Sequence, residues 1–292
     1  MGTALLHGLI GLAVLLVLWP TRSAAARFLR SWGVANPTEA QAEHAVRYLR
    51  HRRLLYPPLF LLVPSAGAGI SSLLRLPEPA DNFLAPVIVA LLIAEAVAAL
   101  RPVRGPRVAA LTRRRWRDLV PRWAIGLLLG FAGAAALLAG VGLTARSWAL
   151  RAVAAEGHTH EHRAGIAQPV EVVVLVGAVL GLAAVLGVVR LAVRRGSVAD
   201  PVADAALRTR SARVAVGIGM AWQAWMVNIA FNRLVSLDGL THRRGDGPGW
   251  LALVPPSGLV NVALLLVAVV GWIWVANASG RVPYVAAAEP RR

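Results

Sequence analysis

The sequence predicts an all-α fold, a polytopic transmembrane helical bundle of seven spans. Three observations carry this expectation. The 292 residues are 57% hydrophobic with a mean hydropathy of +0.61, more than a soluble globular domain carries. Trp123 to Leu143, at the centre, holds no charge and no proline. A run of about twenty such residues is long enough to cross a hydrocarbon core of roughly 30 Å as a helix. Other long apolar runs lie on both sides of it, separated by arginine-rich stretches.

In chain order, the first run is Thr3 to Trp19. No basic residue precedes it, and Arg22, Arg27 and Arg30 follow it. That order of charge is the reverse of a signal peptide, so a retained span with its N-terminus outside is expected. The next runs are 54–74 and 83–100, then the central run, and then 170–193, 214–231 and 258–279. In the central run, Gly126, Gly130, Gly133 and Gly140 fall on one helical stripe, which is expected to face another helix. The second run contains Pro57, Pro58 and Pro64, so a kink or break near Pro64 is expected.

All 31 basic residues are arginine, and the formal net charge is +17. With seven spans, Arg75, Arg146, Arg151, Arg163, Arg233, Arg243 and Arg244 fall on one side and the remaining arginines on the other. Cytoplasmic loops hold the basic excess, which puts the C-terminus inside and the N-terminus outside. The excess is then read as topology and as attraction to anionic lipids at the cytoplasmic face, with no nucleic acid expected. The bilayer is thus the first partner, with a membrane protein or a second copy of the chain as a further candidate. A bacterial plasma membrane is the expected location.

Val34-Ala35-Asn36-Pro37 follows the first span, and Val198-Ala199-Asp200-Pro201 follows the fifth at nearly the same distance. Both place a capping side chain before a proline suited to the first helical position, and Glu39 would complete a capping box with Asn36. Spans one to three and five to seven thereby read as parallel copies in a 3+1+3 internal repeat. Three spans invert the chain, so a second bundle of the same orientation needs one more crossing. The expected organisation is a first three-helix bundle at 1–101, an Arg-rich loop with connector span four at 102–146, and an outer loop at 147–169. The second bundle follows at 170–280 and a cytoplasmic tail at 281–292. In this layout the chain resembles SWEET-type sugar transporters, whose parallel bundles are joined by a fourth helix; neither half has a Pro-Gln pair in its first span. The resemblance implies transport.

Among residues able to carry chemistry, Glu95 is a carboxyl about six residues, or roughly 9 Å of helix, inside span three. An ionisable group there is expected to face inward and to have a partner, for which Arg122, Gln223 and Asn228 are candidates. Asn228 and Asn232, four apart in span six, form a polar stripe that is costly toward lipid. Glu95, Gln223, Asn228, Asn232 and Arg122 together mark an expected polar or substrate path between spans two, three and six. On the outer side His158, His160 and His162 alternate in one short stretch, a candidate Zn²⁺ or Cu²⁺ site or a pH-sensitive patch. No other cofactor is predicted.

The absences are equally informative. With no Cys, disulfides, thiolate metal sites and iron–sulfur clusters are excluded. With no Lys, a retinal Schiff base is excluded. No G-x-S-x-G elbow, H-E-x-x-H or phosphate-cradling loop is present, and no catalytic residue is predicted. The expected function is permease-like or transport-associated. A non-catalytic scaffold or accessory subunit and an outward-facing metal or pH sensor are the alternatives.

Overall fold

The computed structural model describes residues 2–73, 84–100, 116–155, 165–194, 201–255 and 257–277. Among these no strand occurs. The helices are α1 (Gly2–Val17), α2 (Arg22–Ser31), α3 (Glu39–Arg53), α4 (Tyr56–Leu73) and α5 (Leu84–Leu100), then α6 (Arg122–Ala155), α7 (Val170–Arg194), α8 (Pro201–Arg244) and α9 (Ser257–Ala276). Two short 3₁₀ segments, Trp116–Asp118 and Gly249–Leu253, precede α6 and α9.

By length and composition, five helical stretches among the described residues suit a membrane crossing: Glu39–Ile70, which runs through α3 and α4, and those of α6, α7, α8 and α9. α1 and α5 are shorter, at 16 and 17 residues. α1 turns through 87° into α2, so the two count as at most one bent span. The chain is therefore a helical protein with several membrane-length apolar helices.

The described residues group into two compact units that interleave in sequence. One takes residues 1–125, 184–218 and 272–292, the other 126–183 and 219–271. In the first, α1, α4 and α5 share a core of Tyr56, Phe60, Ala90 and Ala94, edged by Ile10, Val14 and Val87. α1 and α4 approach closely because Gly11 has no side chain: a Cβ there would sit 3.0 Å from the Pro57 Cα and the Tyr56 carbonyl oxygen. A second core joins Ala25, Leu29 and Trp32 of the α2 segment to Ala45 and Val46 of α3 and Ala203 and Ala206 of α8.

α3 starts two residues later than its Asn-Pro motif predicts. Thr38 is the N-cap, and its hydroxyl accepts from the Gln41 amide while the Gln41 side chain accepts from the Thr38 amide. This reciprocal capping box displaces the one expected between Asn36 and Glu39. The break between α3 and α4 falls at Leu54 and Leu55, and α4 runs unbroken through Pro64. The reason lies in hydrogen bonding: Pro57 and Pro58 have no N–H to return to the carbonyls of Arg53 and Leu54, so the ladder lapses there. Both prolines then occupy the first turn of α4, where a missing donor costs little.

α8 has no proline after Pro201 and continues for 44 residues, about 66 Å at 1.5 Å per residue. It is also the most buried crossing candidate, with 72% of its membrane-length stretch buried against 28% for α6. α8, rather than the central apolar run, contributes buried residues to four of the cores. In the second unit α7 meets α8 at Gly177 and Gly181, where side chains would run into Met226 and the Trp222 indole. Trp222 Nε1 donates to the Gly177 carbonyl at 2.8 Å.

The glycine stripe of α6 does not pack as expected. No described atom lies within 4 Å of a Cβ built on Gly126, Gly130, Gly133 or Gly140. Alanines do the packing instead: Ala135 and Ala139 enter one core with Phe131, Val174 and Val227, and Ala145 and Ala149 enter another with Leu234, Leu237 and Leu251. A methyl side chain permits nearly the same approach as glycine with less entropic cost to the helix.

Candidate functional site

Glu95 is fully buried on α5 and is met by two guanidinium groups. Arg52, the last buried residue of α3, pairs with Glu95 Oε1, and Arg210 of α8 approaches the same oxygen at 3.7 Å. Ser211 Oγ lies 3.4 Å from Glu95 Oε2, and the Tyr48 and Ser211 hydroxyls are 2.5 Å apart. Aromatic faces support the cations: Arg52 lies 5.8 Å from the centroid of Tyr56, and Arg210 lies 5.4 Å from that of Phe28. Such stacking helps hold a guanidinium away from water at less cost than an aliphatic wall would. One turn earlier on α8, Asp204 and Arg208 form a buried i,i+4 pair.

This hub is built by the spacing of small residues. Ala90, Ala94 and Ala98 recur every four positions on α5, letting it sit against Tyr56 and Phe60 and, further along, against Tyr48, Leu49 and Leu207. Glu95, next to Ala94, is carried into that interface. Arg52 lies on the buried stripe of α3 that also holds Ala42, Ala45, Val46 and Leu49. Ser211 lies on the stripe Leu207, Ser211, Val214 and Ile218 of α8, all buried.

A second buried carboxylate, Glu171 in the first turn of α7, sits in the other unit. Arg233 Nε donates to its Oε1 at 2.8 Å, and Arg146 Nη1 donates to Oε2 at 3.4 Å. Both arginines also donate to backbone: Arg233 to the Ile166 carbonyl at 2.7 Å and Arg146 to the Ala167 carbonyl at 3.1 Å. Gly142 of α6 makes room, since a Cβ there would sit 3.1 Å from Glu171 Cγ.

Three amides form a closed ring in the same unit. Asn228 donates to Asn261 Oδ1 at 2.8 Å, and Asn261 donates to Asn232 Oδ1 at 3.1 Å. Asn232 Nδ2 returns to the Asn228 carbonyl at 2.9 Å and to its Oδ1 at 3.1 Å. Gln223, fully buried, donates to the Ala178 carbonyl at 2.8 Å, and its Oε1 has no hydrogen-bond partner among the described residues.

Of the residues expected to mark one path, the structure therefore puts Glu95 in one unit and Gln223, Asn228 and Asn232 in the other. Inward burial of Glu95 and its need for a partner hold, but the partners are Arg52 and Arg210. Arg122 is exposed at the first turn of α6. The reason is that α3 and the start of α8, expected as helices but with their arginines assigned to the cytoplasmic side, pack on α5. His158, His160 and His162 lie outside the described residues. Among the described residues no group of three or more His, Asp or Glu is placed to hold a metal.

Arg52, Arg210, Arg233 and Glu171 escaped notice in sequence because each sits where a topological arginine or a span-end carboxylate would also sit. Helical phase was the available signal. Arg52 follows the apolar stripe of α3, and Arg233 falls on the buried stripe Met226, Ala230, Arg233 and Leu237 of α8.

No protein-family model matches the chain, and neither curated proteins nor solved structures provide a match.

Proposed function

We propose that the chain is a permease-like or transport-associated protein that crosses a bacterial plasma membrane seven times, N-terminus outside and C-terminus inside. On this reading the two sets of three spans are parallel copies joined by α6, and the hub around Glu95 lies on the polar path. The observation that supports it is the composition of that hub. A carboxylate, guanidiniums and two hydroxyls converge between α3, α5 and α8 where hydrophobic packing would have sufficed, and ionisable groups held at such depth mark solute pathways. The break between α3 and α4 at Leu54 and Leu55, directly after Arg52 and Arg53, supplies a joint beside the charges.

Reconstitution of the full chain in liposomes tests this reading, with uptake measured for a panel of cationic, neutral and anionic solutes. The expected result is flux of one class, lost in Glu95→Gln while the variant remains monodisperse and cooperatively folded. No flux of any class removes the reading.

The second reading, a non-catalytic scaffold or accessory subunit, draws on the other unit. Its amide ring is closed and Glu171 is saturated by two arginines, which is the pattern of groups that only hold helices together. Loss of a stoichiometric membrane complex on deletion of the chain, without any flux in liposomes, would favour it.

A further inference from the structure

Among the described residues, charge at the hub does not balance. Arg52 and Arg210 share one carboxylate, and Arg53, half-buried and next in the chain, feels the positive charge of both. Among the described residues no acidic side chain pairs with Arg53, and Asp204, one turn away on α8, is engaged with Arg208. Three guanidiniums against one carboxylate leave two positive charges in excess. The C-terminal end of α3 contributes only about half a negative charge, too little to cancel them.

The donors are incomplete as well. Arg52 Nε and Arg210 Nη1 are buried yet have no hydrogen-bond acceptor among the described residues, because Arg210 Nη1 is 3.7 Å from Glu95 Oε1. A buried guanidinium with an empty donor is costly, and an oxyanion removes that cost more fully than any other partner. The planar donor fork of arginine matches tetrahedral oxyanions, and a doubly charged one matches the surplus of two.

We propose that the hub is a binding site for a phosphate-type oxyanion, held by Arg52, Arg53 and Arg210, with Glu95 as a built-in competitor for the same donors. This deepens the transport reading, and rests on it for any role in turnover, by making the solute an anion. Glu95 would keep Arg52 and Arg210 ordered when the site is empty and would weaken anion affinity enough to permit release. The donor geometry fits either a free phosphate compound, which also matches the charge, or the phosphodiester of an acidic lipid, which carries one negative charge.

The test measures binding without flux. The full chain is placed in nanodiscs of phosphatidylcholine, and its thermal midpoint is followed against inorganic phosphate and against chloride at matched ionic strength. Phosphate is expected to raise the midpoint by several degrees with chloride ineffective. Arg53→Gln, a change at a half-buried side chain, is expected to raise the half-saturating phosphate about tenfold, the cost of one charged hydrogen bond. Glu95→Gln is expected to lower it by a similar factor, whereas a residue that only locks helices together would give a less stable protein with unchanged phosphate response. A parallel series in nanodiscs containing phosphatidylglycerol separates the sources. A raised midpoint that phosphate no longer increases assigns the site to a lipid headgroup, and an unaltered phosphate response assigns it to a free anion. Equal responses to phosphate and chloride overturn the proposal, as does an Arg53→Gln variant that titrates like the parent, or no response to either phosphate or phosphatidylglycerol. Binding without liposome flux would keep the site and remove transport; flux without binding would do the reverse.

Discussion

Replacing Arg233 by methionine isolates what the Glu171 cluster contributes. The side chains of Glu171 and Arg233 are 1% and 7% exposed, so both charges have left water and depend on each other. Removing one member of such a pair typically costs about 3–5 kcal/mol, because the remaining charge is stranded. Here the lower end applies, since Arg146 stays 3.4 Å from the other carboxylate oxygen and is itself a quarter exposed. The Ile166 carbonyl also loses its donor, which keeps the loss near about 3 kcal/mol. For a chain of 292 residues that corresponds to a fall in thermal midpoint on the order of 5 °C. The double change Glu171→Leu with Arg233→Met removes both charges and leaves a volume close to the original. It should lie within about 1 kcal/mol of the parent, because the attraction of a buried pair is largely spent on its own desolvation. Denaturant and thermal unfolding of the purified protein in one detergent, across the single and double variants, gives the comparison. A single variant as stable as the parent, or a double variant worse than Arg233→Met alone, would refute this account of the cluster.

Two further outcomes follow from the same geometry. Gly181→Leu drives a side chain into the indole of Trp222 and should destabilise by about 1–3 kcal/mol or more, with a change in tryptophan fluorescence, whereas Gly130→Leu, at a position with no described neighbour, should leave both unchanged. Asp246 is held below the usual carboxylate range, chiefly by its hydrogen bonds from Arg244 at 3.0 Å, and Arg244 also donates to the Ala152 carbonyl at 2.9 Å. A depressed carboxylate stabilises above its unfolded value, so this tether of α8 to α6 persists at neutral pH and weakens as pH falls below about 4. Amide exchange across residues 241–251 should accelerate in that acid window, and Asp246→Asn should remove the dependence.

Much of the helical layout could be read in advance because it depends on local rules. The apolar runs coincide with described helices, and proline placed the start of α8 at Pro201, whereas the break expected near Pro64 falls before α4 instead. The position of that break was misjudged, since Pro64 was weighed as a helix breaker while Pro57 and Pro58 removed the donors that mattered. Glu95 was recognisable from depth alone as a buried carboxyl that needs a partner. Its partners were not, because in sequence Arg52 and Arg210 are two among many arginines that the positive-inside rule already accounts for. The amides Asn228 and Asn232 were placed correctly on one stripe, but the third member of their ring, Asn261, comes from α9.

The sequence by itself determined that this is a helical protein of membrane-length apolar segments, that thiol and Schiff-base chemistry are impossible, and that a carboxyl lies within an apolar helix. Those properties follow from composition and from the 3.6-residue period, which act within one segment. Tertiary structure decided the rest: that α8 is the most buried crossing candidate, that the glycine stripe of α6 meets no other described helix, and that arginines read as loop charges close on Glu95 and Glu171. Each of these depends on which faces meet across long separations in sequence. Where charge and hydrophobic phase give conflicting signals for a residue such as Arg52, only the partner helix resolves them, because a guanidinium is buried when a carboxylate waits for it and solvated when none does.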